Sequence, residues 1–360
     1  MRVILLDLGL ELRGGQRQVL YLAQAAKTEG MDASVACVRS SPLEEAAASQ
    51  GIPVIPLPGR SGLNPVSFVL LRRELRKKPG SVLHTQDARS ALLGALLKQC
   101  SPSLFFLVHS RRVAYPLRNA FSAWKYTKAD ALAAVSGEIR RMLVDGGVLP
   151  EKIRVIHSGI DPALYSRRTG HAEQVFRFGM IGALTPQKGH AVLLDAVACL
   201  MRESGLPEWR VEIAGEGPLR GEIERAIRAA NAQDRVRLPG YVPGREFLPE
   251  LDALLVPSAH GEGSSAALKE AWATGLPVIV SDLSSNLELV TPEVNGLSFT
   301  AGKGEDLAQA MIRVLRDAPL RESLVKGGDE SLASVTHTRM AEENIRLYRE
   351  LNSPGAAPSA

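Results

Sequence analysis

The chain has 360 residues, 45% apolar and 23% charged, a globular balance in a length beyond one ordinary core; this predicts two domains and excludes a fibrous, largely disordered or membrane-spanning protein. Residues 1–166 carry 22 Lys and Arg against 13 Asp and Glu, while the remainder carries 21 against 26, giving the net +4. The basic half predicts an anionic partner, either a phosphorylated substrate or anionic lipid headgroups, and the acidic second half, with no reading motif, disfavours nucleic acid.

The N-terminal Met1-Arg2-Val3-Ile4-Leu5-Leu6-Asp7 is too short in its apolar part for a signal peptide and ends in a charge, which predicts a first strand and a cytoplasmic chain. Apolar runs such as Ala91–Leu97 and Leu104–Val108 fall far short of the roughly 20 residues a spanning helix needs. Cys37, Cys100 and Cys199 lack ligand or disulfide spacing and read as thiols in a reducing compartment.

Along the first half, short apolar runs bounded by turn residues alternate with amphipathic stretches of helical length. Strands are predicted at Val3–Leu8, Ala33–Val38, Val54–Leu57, Ser81–His84, Leu104–His109 and Ala131–Val135. Helices are predicted at Gln16–Glu29, Pro65–Lys78, Asp87–Gln99 and Gly137–Asp145. The pattern breaks at Ser158-Gly159-Ile160-Asp161-Pro162 and the polar stretch Ser166 to Gln174. A second series follows at Phe176–Ile181, Arg210–Ala214, Val236–Leu238, Leu254–Pro257, Val278–Val280 and Leu297–Phe299.

The fold class predicted is α/β, two Rossmann-like doubly wound domains facing across a cleft, over residues 1–166 and 167–336. A helix in 337–353 is expected to pack back towards the first domain, and 354–360 to form a disordered tail. Parallel sheets bind ligands at the carboxyl ends of their strands, so both halves are expected to contribute to one site.

The segment Pro257-Ser258-Ala259-His260-Gly261-Glu262-Gly263-Ser264-Ser265-Ala266 leaves a buried strand, turns on glycines, caps with serine and enters a helix that Gly275 and Pro277 end. Backbone N–H groups of Gly263, Ser264, Ser265 and Ala266 at a helix start make an anion cradle suited to a diphosphate. Glu262 and Glu270 stand eight apart, placed to accept hydrogen bonds from different hydroxyls of one extended ligand. In Gly179–His190, Lys188 follows a strand and is positioned to neutralise a leaving phosphate. After the first strand, Gly14 and Gly15 read as a turn just before the helix Gln16–Glu29 and would let backbone approach a phosphate closely at its start. That loop lacks the GxGxxG spacing of a nicotinamide site.

The pattern resembles the family 4 retaining glycosyltransferases. It is carried by Arg13-Gly14-Gly15, Ala134-Val135-Ser136, the run Lys152 to Asp161, Lys188-Gly189-His190, Gly215-Glu216-Gly217-Pro218-Leu219 and Glu262-x7-Glu270, in the family's order over nearly the whole chain. The resemblance implies a GT-B fold and a nucleotide-diphosphate sugar donor, UDP- or GDP-linked, bound mostly by the second domain. It implies Glu262 on the donor sugar beside Gly263–Ala266, Glu270 on the ribose and Lys188 on the diphosphate. Arg13, Gly14 and Gly15 would contribute from the first domain, and His109 would lie near the donor sugar and acceptor. Lys188, Glu262 and His109 are thus the expected catalytic residues. Where the family's Gly-Arg-Leu motif has arginine, this chain has Gly182-Ala183-Leu184, so Lys188 either works alone or is helped by another cation such as Arg13. His157-Ser158-Gly159 replaces the family's Pro-Asn-Gly.

No DxD pair follows a strand in a setting suited to a metal-bound diphosphate, so no metal and no cofactor are expected. The acceptor is expected to be a glycan or a lipid-linked glycan, of the lipopolysaccharide or capsule kind. The run Ser110–Lys128 mixes Arg111, Arg112 and Arg118 with Trp124 and Tyr126. With Arg72, Arg73, Arg76, Lys77 and Lys78 it is expected to dock on an anionic membrane at the inner face of the cytoplasmic membrane. The rival readings are another GT-B enzyme, such as a phosphorylase or epimerase, and a non-catalytic nucleotide-sugar binder.

Overall fold

A computed structural model describes residues 1–115, 117, 120–168, 175–260 and 263–353. They form two compact units: Met1–Gly159 together with the segment from His337, and Ile160–Thr336. The first crossing falls at Gly159/Ile160, upstream of the Ser166 boundary read from sequence, because Ile160 already belongs to the second unit. Its N–H donates to Val335 O at 3.1 Å, and it bridges Thr336. The segments 169–174 and 354–360, which include part of the expected linker and the expected tail, lie outside the described residues.

The first unit runs β1 (Arg2–Leu6), α1 (Gly14–Thr28), β2 (Asp32–Val38), α2 (Pro42–Ser49), β3 (Val54–Leu57), α3 (Pro65–Arg76) and β4 (Ser81–Thr85). It continues α4 (Ala88–Cys100), β5 (Phe105–Arg111), α5 (Ala120–Thr127), β6 (Ala131–Ala134), α6 (Gly137–Asp145) and β7 (Ile153–Val155). The second unit runs β8 (Phe176–Ile181), α7 (His190–Arg202), β9 (Trp209–Ala214), α8 (Arg220–Ala229), β10 (Val236–Gly240), α9 (Gly244–Phe247) and β11 (Ala253–Val256). It continues α10 (Ala266–Thr274), β12 (Val278–Ser281), α11 (Ser284–Leu287), β13 (Leu297–Phe299), α12 (Gly304–Arg316) and α13 (Ala318–Leu332), after which α14 (His337–Leu351) belongs to the first unit.

Both sheets are parallel, in the orders β3-β2-β1-β4-β5-β6-β7 and β10-β9-β8-β11-β12-β13. The edge strand β7, three residues of which only Ile153 is buried, is too short to carry a periodicity that sequence reading detects. Buried on both faces, the strands read as near-continuous apolar runs. On β1, Val3 and Leu5 enter a core with Val19, Leu22, Leu43, Ile345 and Tyr348, whereas Ile4 and Leu6 enter one with Leu71, Leu93 and Leu143. The second unit repeats the scheme: Leu255 and Ile279 face the core of α7, α8 and α12, and Leu254 and Val256 face that of α10. Strand order reverses between β1 and β4, and again between β8 and β11; these switch points are where doubly wound sheets open a crevice. Among the described residues no helix is long and apolar enough to cross a membrane.

Candidate functional site

In the second unit the loop after β8 and the loop after β11 meet at the switch point. The N–H of Ala259 donates to Gln187 O at 2.9 Å, tying one loop to the other. Gly189 stands at φ +74°, and a Cβ there would fall 1.8 Å from Pro257 O, so backbone lies directly on backbone. The loop after β9 joins them: Gly215, at φ +148°, would carry its Cβ 1.8 Å from Gly182 O. Leu184 N donates to Glu216 O at 2.9 Å. Three glycine-bearing loops are thus pressed together at the carboxyl edge of β9, β8 and β11.

Lys188, half-buried, sits in this cluster, its stem folded over Gly182 so that a Cβ added there would lie 3.3 Å from Cε. The next residue, Gly189, is the left-handed start of α7, whose first residue His190 is buried and pushed down to about 4 by that burial, hence neutral. On the β11 side, Ser265 is the buried cap of α10, its Oγ accepting from Leu268 N at 3.4 Å. Gly263, Ser264 and Ala266 complete the helix start, with Gly263 and Ser264 half-buried and Ala266 exposed. The carboxylate of half-buried Glu270 lies against Gly244 of α9, where an added Cβ would meet Oε2 at 2.7 Å. The structure therefore brings Lys188, the Gly263–Ala266 cradle and Glu270 onto one edge of one sheet. Glu262 lies outside the described residues, as does Gly261.

The first unit has a related edge. Arg13 is the extended cap of α1 and Gly14 its first residue, so the helix begins two residues before the predicted Gln16. Neither glycine has positive φ; a Cβ on Gly14 would meet nothing within 4 Å, and one on Gly15 only Arg112 Cδ at 4.0 Å. Packing inside this unit does not require glycine at either position. Arg13 is paired with Glu11, both exposed. Beneath the helix start, the Gln16 amide donates to Asp7 Oδ1 at 3.1 Å, and the Asp7 carboxyl is raised by its burial and by neighbouring Asp87.

His109 does not open onto this edge. It is fully buried, with Nε2 2.9 Å from Lys125 O and Nδ1 2.5 Å from Thr85 Oγ1. Because a carbonyl only accepts, Nε2 carries the proton; burial holds the ring down to about 4, so Nδ1 accepts from Thr85. Both nitrogens are thus engaged by groups of this unit. Its neighbour His84 is likewise internal, with Nε2 2.8 Å from Ser110 Oγ and Nδ1 2.5 Å from Tyr348 OH of α14.

The expected basic face needs a correction. Arg111 is buried, donates to Tyr115 O and lies over the Tyr126 ring, itself buried. Arg112 donates to Gln86 Oε1 at 2.9 Å, and burial brings its guanidinium down to about 10 against the attraction of Asp7. These cations hold strand ends together and are not presented to a lipid surface; Arg118 lies outside the described residues. Sequence reading also passed over Lys269, fully buried on α10 with Nζ 2.5 Å from Ser264 Oγ. The signal was a lysine set between Leu268 and the Ala271-Trp272 pair, on a helix whose neighbours are buried.

Comparison with known proteins follows the same division. Residues 163–331 match the family model described as glycosyl transferases group 1, and residues 12–164 that of glycosyltransferase family 4. The amylovoran biosynthesis glycosyltransferase AmsK of Erwinia amylovora is 32% identical over 198 residues, covering 52% of this chain and 48% of that protein, so the chain spans about half of this relative. An Escherichia coli UDP-Gal:alpha-D-GlcNAc-diphosphoundecaprenol alpha-1,3-galactosyltransferase is 26% identical over 342 residues, 86% of each chain. The crystal structure of HepE from Anabaena in complex with UDP and glucose superposes with a TM-score of 0.81 at 17% identity, covering 98% of this chain and 100% of that one. With the two Rossmann-like units of the GT-B fold and both family models in register along it, the chain belongs to the family 4 glycosyltransferases.

Proposed function

We propose that this glycosyltransferase moves a sugar from a nucleoside diphosphate donor to a hydroxyl of a lipid-linked or lipopolysaccharide-type glycan, with retention of anomeric configuration and without a metal. The observation that carries the reading is the juxtaposition in the second unit of Lys188, the α10 helix start and Glu270. An ammonium and a helix N-terminus converge where a diphosphate would depart, and a carboxylate stands where hydroxyls would need an acceptor. HepE was crystallised with UDP and glucose, and the E. coli relative is named for a UDP-sugar and a diphosphoundecaprenol-linked acceptor, which favours UDP and a lipid-linked glycan.

In this reading the donor C1–O bond breaks and its electron pair leaves with the diphosphate. The acceptor oxygen bonds to C1 from the same side, and its proton passes to the departing phosphate. Lys188 and the cradle stabilise the charge that develops, Glu262 binds the donor sugar and Glu270 the ribose. From the first unit, Arg13, Gly14 and Gly15 are assigned to an anionic part of a substrate. A thermal-shift panel of UDP-, GDP-, ADP- and CMP-sugars, followed by radiolabel transfer to polyprenyl-linked and lipopolysaccharide-core acceptors, tests the whole assignment. A UDP- or GDP-sugar should raise Tm and its label should reach the acceptor with EDTA present. Loss of turnover in EDTA, restored by Mg²⁺ or Mn²⁺, would refute metal independence, and release of a free sugar phosphate or an epimerised nucleotide would move the chain to another chemistry.

The acceptor is presented, in the same proposal, at the inner face of the cytoplasmic membrane, and the docking surface moves from 110–128 to α3. Leu63, Val66 and Val69 are 65%, 54% and 63% exposed, and Arg73, Arg76, Lys77 and Lys78 are exposed beside them. Val66, Val69, Arg73 and Arg76 follow helical spacing along one face, an apolar stripe with a basic end. Neutralising Arg73, Arg76 and Lys77 with glutamine should cost roughly 3 kcal/mol of binding to anionic vesicles at low salt. Sedimentation that is equal on neutral and anionic vesicles, or unchanged in the triple variant, would rule this surface out.

A further inference from the structure

We propose that Lys269 is a positioning residue for the donor: from inside the second unit it holds Ser264, and through it the loop that receives the diphosphate. The inference rests on the donor reading above and adds a residue to it. Two serines stand in this loop with different duties. Ser265 caps α10, so its hydroxyl oxygen is engaged with Leu268 N. Ser264 is half-buried, and its Oγ accepts from Lys269 Nζ at 2.5 Å. With the ammonium on a lone pair of Oγ, the serine's own hydrogen is turned to another side and the loop backbone at Gly263–Ser264 is pinned against the helix.

A leucine or methionine at this point of α10 would pack among Leu268, Ala271 and Trp272 at no electrostatic cost. A lysine with none of its surface exposed carries a desolvation penalty. The charges that oppose this are Glu270 on the same helix and Glu288 at the end of α11. Burial still brings the ammonium down to about 7. Buried ions replaced by apolar side chains of similar volume often leave a protein as stable or more so. A loop that must be held in one geometry supplies a reason to keep a charge at this point.

The experiment compares the parent, Lys269→Met, Ser264→Ala and the double variant. Calorimetric affinity is measured with whichever of UDP, GDP or ADP the parent binds most tightly, Tm by scanning calorimetry, and donor KM and kcat by transfer. Lys269→Met should keep or raise Tm yet weaken nucleotide affinity about tenfold, the size of one charge-assisted hydrogen bond. Ser264→Ala, which leaves the lysine in place, should lose a similar factor, and the double variant no more than either alone, since both cut one link. Losses that multiply in the double variant, or nucleotide affinity equal to the parent's in either single variant, overturn the role. If Lys269→Met does not fold, the Ser264→Ala affinity decides alone. A parent that binds none of the three nucleotides overturns the donor reading, and this inference with it.

Discussion

Replacing Lys188 with alanine should lower kcat by about 10²- to 10³-fold while leaving the fold intact, the loss typical of removing one preorganised group that faces developing charge. The residue sits at the carboxyl edge of β8, its stem laid over Gly182, with the β11 loop fixed to its own loop through Ala259 and Gln187. The position is set by backbone, so truncating the side chain removes a charge without moving the loop. The effect should be large because Ala183 occupies the place where the family's arginine would share the work, and Ala183 is exposed and uncharged. Binding of the nucleotide should weaken less than kcat falls, since the charge on the leaving oxygen grows towards the transition state. Lys188→Arg should recover part of the rate, because it restores charge but presents a planar fork in place of a compact ammonium. Single-turnover transfer measures the chemical step directly; an alanine variant within threefold of the parent would remove Lys188 from the mechanism.

Why some of this was legible in the sequence and some was not follows from how local each signal is. The cradle at Gly263–Ala266 and the loop at Gly182–Gly189 were readable because strand ends, glycine turns and serine caps are written in consecutive residues. The start of α1 was misplaced because paired glycines read as a turn, whereas Gly14 and Gly15 lie in its first turn without positive φ. Arg111 and Arg112 read as surface because charged residues ordinarily are. Their partners come from Tyr115 and Tyr126 in one case and from Gln86 and Asp7, at the ends of β4 and β1, in the other. The partners of His109 were equally hidden: the strand read as ending there runs on to Arg111, and Thr85 and Lys125, distant in sequence, engage both its nitrogens. Lys269 was hidden because a charged residue reads as solvated, although Leu268, Ala271 and Trp272 beside it on α10 mark a buried stretch.

Glycine to alanine should separate the two kinds of glycine in this chain. At Gly189 the added Cβ meets two independent penalties: a left-handed backbone at φ +74°, and a carbonyl oxygen 1.8 Å away at Pro257. The backbone conformation alone costs about 1–3 kcal/mol, and the contact is with main chain, which cannot rotate aside. The expected loss is roughly 3 kcal/mol or more, lowering Tm by about 6–12 °C for a unit of this size. Nucleotide binding should fall with it, because relief requires the β8 and β11 loops to part. At Gly14 the opposite holds. The residue opens α1 with helical backbone and nothing within 4 Å of the new methyl group, so alanine should hold or raise stability by up to about 1 kcal/mol. If glycine is there to let a substrate anion approach the helix start, Gly14→Ala should nonetheless reduce kcat/KM, about tenfold for one methyl group set against a phosphate oxygen. Calorimetry and transfer kinetics on the two variants side by side decide the matter. A Gly14→Ala enzyme with parental kinetics would show that no ligand touches α1 at that point, and a Gly189→Ala enzyme with parental Tm would show that the two loops are not held together as described.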